Sequence, residues 1–365
     1  MTALLVILIL VVLIVGHELG HFVAAKLLGV RVVEFGIGYP PRAFKLGRWG
    51  GTEYTINWLP FGGFVRLYGE EHEHEELKGR QRWHSIMSAP LWAQAAILVA
   101  GVAMNVAIGW GLYVAGFMNG LPTSVAEGTP GAHLVVNGVL PGSPADAAGF
   151  ETGDEIIAVT DASGSSLLTL TPSAMVAYVE DHGGQKIDIT YIRKDATSTV
   201  PVIPAHAVLA DQSGRPALGV ALALVSETHI DFWGALREAS LRTGDILSQV
   251  GSGILGLLHD ALFWHADLSE VVGPVGLISI VDQTAGYGAG QILGLAAFIS
   301  LNLAIVNLIP IPAFDGGRLL FVAYEALTRR RIPSLVAQTL NLIGFALIIV
   351  LMVVVTYHDI VHLLG

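Results

Sequence analysis

The chain has 365 residues, of which 53% are hydrophobic and only 13% charged, with a mean hydropathy of +0.63; it is too apolar for an ordinary soluble domain and long enough for several membrane spans plus one folded domain. A net charge of −11 leaves no basic face to compete for phosphates, which excludes a nucleic-acid partner. Cysteine is absent, so disulfides and thiolate metal sites are excluded and any metal must use His and carboxylates.

Four segments meet the requirement of about 20 apolar residues for crossing the hydrocarbon core: 3–25, 91–117, 291–312 and 335–356. In the first, uncharged residues Ala3 to Val15 run straight into His17-Glu18-Leu19-Gly20-His21. On a helix, two His at i and i+4 share one face and can reach one zinc ion, with the intervening Glu placed to act on the attacking water. Ionisable groups inside a span are expensive, so they face protein and have a functional reason to be there. A cleaved signal peptide is the competing reading, since Val23-Ala24-Ala25 resembles a cleavage site; Met1-Thr2-Ala3 has no basic n-region, and cleavage would discard the motif.

Between Arg31 and Gly69, four short β-prone runs (32–35, 43–46, 53–56 and 64–67) are separated by Gly and Pro signals and read as hairpins. They form either a small sheet packed on the helices or an exposed edge able to hold an extended peptide. The alternation of Glu and His from Glu70 to Glu76 reads as a solvated acidic loop, with no catalytic metal assigned to it. Gln94 and Asn105 in the second span, and Asn302 and Asn307 in the third, are expected as interhelical hydrogen-bond partners.

Beyond the second span, Val139 to Gly149 leads into Gly153-Asp154 and Glu155 to Val159, a strand, a short Ala-rich helix, a Gly-Asp turn and a strand. Thr171-Pro172 to Asp181 is expected as a helix, with strands at 186–193 and 218–224. Apolar positions recur at helical spacing over 228–265, which reads as an amphipathic pair of helices on the outer membrane surface. His259 and His265 are expected at the interface rather than on a metal.

The basic residues set the orientation. Lys26 and eight more Lys and Arg at positions 31–82 follow the first span, and Arg318, Arg329, Arg330 and Arg331 lie between the third and fourth. Those loops are therefore cytoplasmic, and the long stretch between spans two and three, with six of the 19 basic residues, lies outside. This puts His17 and His21 at the same cytoplasmic depth as the end of span three, where Asn307-Leu308-Ile309-Pro310-Ile311-Pro312-Ala313-Phe314-Asp315-Gly316-Gly317 stands. The prolines must end or unwind the helix, leaving Asp315 on a loop beside two glycines. Asp315 is either a turn aspartate or the third zinc ligand of a His₂Asp site with one position open for water. The HExxH pair at the same depth, which needs another ligand, favours the second.

His17-Glu18-x-x-His21 in the first span, Asn307 through Asp315-Gly316-Gly317 in the third, and the domain inserted between spans two and three together resemble the site-2 proteases, the intramembrane zinc metalloproteases, and most closely the bacterial RseP-like group. The resemblance covers nearly the whole chain; Asn105 aligns, and Val102 stands where the family often has proline. It implies an α-helical polytopic membrane protein with four transmembrane helices, a cytoplasmic-side β-hairpin region and an inserted extracytoplasmic PDZ-like α+β domain. The expected divisions are 1–28 (first transmembrane helix), 29–88 (hairpin region), 89–119 (second), 125–225 (PDZ-like domain), 226–289 (interfacial helices), 290–317 (third helix and motif) and 333–358 (fourth). It further implies zinc held by His17, His21 and Asp315, with Glu18 as general base. Asn307 is carried over as steadying the extended substrate or the oxyanion, with interhelical packing as its other reading. Pro60-Phe61-Gly62-Gly63-Phe64 is similar to the tip of the family's hairpin, which makes Gly62 and Gly63 substrate-positioning candidates. The implied substrate is a single-span membrane protein such as an anti-sigma factor, cut first by an upstream site-1 protease, in the bacterial inner membrane. The PDZ-like domain either binds extended peptide or acts as a steric filter. The rival readings are a zinc-binding membrane transporter, for which spans two and four lack further ligands, and an inactive PDZ-bearing adaptor, which has no need of Glu18.

Overall fold

A computed structural model describes residues 2–69, 84–193, 196–206, 214–226, 229–262, 273, 276–278, 280–281 and 288–364. The acidic run at 70–76 and His265 lie outside the described residues. The chain divides into two compact units, one formed by 1–119 with 230–365 and the other by 120–229.

The first unit is built on α1 (Thr2–Leu27) and α2 (Leu91–Met118), with α5 (Phe232–Leu262), α6 (Ala289–Leu308), α7 (Asp315–Thr328) and α8 (Ser334–Leu364) following the second unit in sequence. Among the described residues, four of its helices are long and apolar enough to cross a membrane: α1, α2, α6 and, within α8, Leu335–Tyr357. Their outward faces are apolar, with Leu4, Leu8 and Val12 of α1 and Leu342, Phe345 and Val350 of α8 exposed. Helices satisfy their own backbone hydrogen bonds, so such surfaces suit hydrocarbon. In α1 the buried stripe is Leu13, Gly16, His17, Gly20 and His21, the i, i+3, i+4, i+7, i+8 pattern of one helix face. Gly20 brings that face against the Ala100 carbonyl of α2, where a Cβ would collide. α2 packs in turn on α5 and α6. The share of buried residues is 44% in the α6 span but 11% in the α8 span, so α6 is the interior helix and α8 the peripheral one. The expected amphipathic pair at 228–265 takes the form, among the described residues, of a single helix, α5, with Trp110 of α2 donating its indole N–H to Ser240 at 3.0 Å.

Between α1 and α2, the expected short runs fuse into two long strands, β1 (Val32–Trp49) and β2 (Thr52–Leu67), each folded sharply on itself. Residues 32–37 pair with 63–67 on one side and, through 34–37, with 53–56 on the other, while 42–49 pairs with 52–57. The four runs are thus the four arms of one small sheet, antiparallel except where 34–37 runs alongside 53–56 in the same direction, and the Gly and Pro residues that read as strand breaks are its bends. Glu34 is buried at its centre and carries three partners: Arg42 at 2.8 Å, Arg66 at 2.9 Å and the Thr55 hydroxyl at 2.9 Å. A buried carboxylate is tolerable only when so satisfied, and this one ties three arms together.

The second unit is a six-stranded antiparallel sheet in the order β3-β8-β4-β5-β6-β7, formed by β3 (Thr123–Ser124), β4 (His133–Val139), β5 (Glu155–Asp161), β6 (Ile187–Arg193), β7 (Ala196–Val202) and β8 (Val220–Ser226). Two helices, α3 (Pro144–Ala147) and α4 (Pro172–Asp181), cover a core of Leu134, Val136, Ile156, Val159, Met175, Ile187 and Ile189. Both helices open with a hydroxyl N-cap, Ser143 and Thr171, followed by proline at the first helical position. Arg193 closes the unit: its guanidinium grips the buried Asp154 carboxylate at 2.6 and 2.7 Å and donates to the Gly149 carbonyl at 2.8 Å. The Asp154 hydrogen bonds hold Arg193 further above the ordinary guanidinium range.

Candidate metal centre

Three helices meet where the first span carries its two histidines. His17 and His21, one turn apart on α1, turn Nε2 toward Asp315 Oδ2 at 2.9 and 3.1 Å and stand 3.0 Å from each other. Asp315 comes from the far end of the chain because Pro310 and Pro312 terminate α6 at Leu308 and the backbone turns back on itself. Gly316 and Gly317 make that turn possible, since a Cβ on either would strike the carbonyls of Leu308, Ile309 or Ile311. The sequence places Asp315 on a loop; it is instead the first residue of α7, after an extended Phe314. The positive end of that helix favours a carboxylate there.

The donor set fits a zinc ion. The three ligand atoms lie within 4.8 Å of one another on buried or half-buried residues, with no competing cation among their described contacts. Tetrahedral zinc with bonds of about 2.0–2.1 Å needs donors roughly 3.3 Å apart, a few tenths of an ångström beyond the edges found here. Space for the two rings comes from Gly101 of α2, whose added Cβ would lie 2.5 Å from the His21 ring and 2.8 Å from His17. Its only advance signal is a glycine within an apolar helix, where close packing is the usual reason. His21 is oriented by Nδ1, which donates to the Ile97 carbonyl of α2 at 2.8 Å.

Glu18 is half-buried beside the hairpin, near enough to His21, His17 and Asp315 for its charge to interact with all three. Gly63 of β2 lies alongside, where a Cβ would make ordinary contact with Glu18 Cγ at 3.5 Å, and the Val65 backbone amide faces the carboxylate. Gly62, at φ +85°, packs near Tyr39 and Ile14. The arm 63–67 therefore runs along α1 next to Glu18. Val65 and Tyr39, which sequence reasoning did not single out, belong to this wall.

The four span amides divide. Asn307 Nδ2 lies 3.5 Å from His17 Nδ1, an interhelical approach. Gln94 and Asn302 instead donate within their own segments, to Ala89 and Phe298 at 2.9 and 2.8 Å. Asn105 is fully buried, receives the Ser300 hydroxyl on its backbone carbonyl at 2.8 Å, and has no side-chain partner among the described residues. His259 is exposed and lies 3.2 Å from Asp260.

Two imidazoles and a carboxylate converging at one point, with a second carboxylate beside them, have the donor chemistry that a metal-dependent hydrolase requires, set among apolar helices. The chain matches peptidase family M50 over residues 5–351 and belongs to that family. A zinc-metalloprotease relative from Clostridium perfringens is 32% identical, covering 96% of this chain and 95% of its own length. The zinc metalloprotease RasP of Shouchella clausii is 28% identical over 96% of each chain, and RasP of Oceanobacillus iheyensis 26% over 96% of this chain and 97% of its own. The protein is accordingly a zinc metalloprotease of a membrane.

Proposed function

We propose that this protease hydrolyses a peptide bond within or near the transmembrane segment of a single-span membrane protein, with His17, His21 and Asp315 as zinc ligands and Glu18 as general base. The observation that carries the reading is the convergence of the three donors beside Glu18 on helices whose outer faces are apolar. Zinc, when bound, supplies the Lewis acidity that makes water nucleophilic near neutral pH and polarises the scissile carbonyl. Glu18 accepts the proton from the attacking water and returns it to the leaving amine. A helical peptide bond is shielded by its own hydrogen bonds, so the substrate must be held extended. The arm 63–67 next to Glu18 offers a strand for that purpose, with Gly62 and Gly63 keeping the approach clear.

The charge asymmetry of the loops supports a cytoplasmic-facing centre in a bacterial cell membrane with residues 120–229 outside. The substrate is then an anti-sigma-factor-like regulator, first shortened on the outside by an upstream protease. The test is co-reconstitution of the purified protein with a single-span substrate in liposomes, with fragments mapped by mass spectrometry. Cleavage in or beside the span is expected, abolished by a zinc chelator and restored by added zinc. Cleavage confined to soluble loops, or indifferent to chelation, would sink the reading.

The second unit is read as a PDZ-like module. Between α4 and β8 runs a groove of about 630 Å³ lined by Met175, Val176, Val179, Leu218 and Leu222. The outer flank of β8 at 220–223 has no strand partner among the described residues, since β3 pairs only at Val225 and Ser226. An open strand flank beside an apolar groove suits an extended peptide, which favours ligand binding over a purely steric filter. Val176, 55% exposed, can be changed without opening the core. Val176→Glu is expected to lower kcat/KM about 10-fold for a substrate bearing its outer segment, about 1.4 kcal/mol of binding. An unchanged kcat/KM restores the filter.

A further inference from the structure

The two histidines share a metal-facing atom but differ at the other ring nitrogen. Each turns Nε2 toward Asp315, so each must carry its proton on Nδ1 when Nε2 is a ligand. For His21 the consequence is met: Nδ1–H donates to the Ile97 carbonyl at 2.8 Å. His17 has no such carbonyl among its described contacts. Its Nδ1 faces the side-chain amide of Asn307, in the last turn of α6, with Nδ2 at 3.5 Å.

An Nδ1–H opposite an N–H₂ is donor against donor and makes no hydrogen bond. The carboxamide oxygen and nitrogen have nearly the same shape, and which of them points at the ring is an assignment made from the hydrogen-bond network. Rotating the amide by half a turn places Oδ1 opposite Nδ1–H and supplies the missing acceptor. We propose that Asn307 is a positioning residue of the zinc site: its Oδ1 accepts the His17 Nδ1–H and so fixes the tautomer and ring orientation that free Nε2 for the metal. The inference rests on the ligand assignment above and gives Asn307 a role distinct from contact with substrate or oxyanion. It makes Asn307 the counterpart, on α6, of the Ile97 carbonyl on α2. The ligand pair on α1 is thereby braced from both neighbouring helices.

The test is the zinc dissociation constant of the full-length protein in detergent, measured by competition with a chromophoric chelator. Loss of a partner behind a ligating His weakens metal binding by about 10–100-fold. Asn307→Leu, which removes the acceptor, is expected to weaken zinc by that factor, and Asn307→Ala, a smaller change, in the same direction. Asn307→Asp keeps an oxygen acceptor and is expected to bind zinc at least as tightly as the native protein. A dissociation constant within twofold of native for both apolar variants overturns the proposal and returns Asn307 to substrate contact alone. Equal weakening in the Asp and Leu variants also overturns it, because packing rather than an acceptor would then be at stake. His17→Ala separates the underlying assignment: if it binds zinc like the native protein, the ligand set itself is wrong, and this inference falls with it.

Discussion

Glu18→Gln is expected to stop cleavage while leaving zinc bound. The substitution keeps the shape of the side chain in the space bounded by Gly63 and the Val65 amide, so the packing of the hairpin on α1 is unchanged. None of the three donor atoms converging at the site belongs to Glu18, so metal content is predicted to stay stoichiometric. What is lost is the proton acceptor. General acid–base catalysis by a positioned group contributes about 10²–10⁴-fold, and single-turnover cleavage of a reconstituted single-span substrate should fall by that factor. The variant should also retain the uncut substrate in a complex that survives purification. Native-rate cleavage with zinc in place would remove Glu18 from the chemistry and leave the binding site without an identified base.

The site was more legible in the sequence than the scaffold that forms it, and the reason is the range of the forces involved. The His17 and His21 spacing is local, fixed by 3.6 residues per turn, and can be read from five residues. Asp315, 294 residues beyond His21, was brought near only by an argument about depth, from basic residues in loops and prolines at a helix end. That argument carries no information about which atoms touch. It likewise could not show that Asp315 begins a helix, because Gly316 and Gly317 read as loop signals when their function is to let α7 fold back against the carbonyls ending α6.

The hairpin region shows the same limit differently. Its β-prone runs were visible one by one, and each occupies an arm of the sheet. Their fusion into two bent strands depends on pairing between residues far apart in sequence and on the buried Glu34 cluster, neither of which periodicity records. The span amides depart from the interhelical expectation where a nearer acceptor exists: Asn302 donates to the Phe298 carbonyl one turn away, a bond any helix offers. Where no such local bond forms, as at Asn307, the amide is left to face another helix.

Asp315→Asn separates a ligand from a neighbour. As a ligand, Asp315 supplies the only negative charge among the three donors, and two neutral imidazoles leave both charges of the zinc ion uncompensated in a largely apolar surrounding. The helix end beneath it presents partial positive charge, so without the carboxylate that end opposes a cation. Removing a partner behind a metal ligand already costs 10–100-fold in affinity, so loss of the anionic ligand itself is expected to weaken zinc by more than about 100-fold. The fold should persist, because Asn matches Asp in shape and is well tolerated at a helix start. Zinc content after dialysis against a weak chelator, with helicity followed by circular dichroism, reads both outcomes. A folded variant that keeps its zinc would make Asp315 a helix-terminus residue that merely contacts the imidazoles. In that case the third ligand must be sought elsewhere, and Glu18 is the other carboxylate beside the two histidines among the described residues; the Glu18→Gln variant would then lose zinc as well as activity. The two substitutions, measured for metal and cleavage together, therefore assign both carboxylates in one experiment.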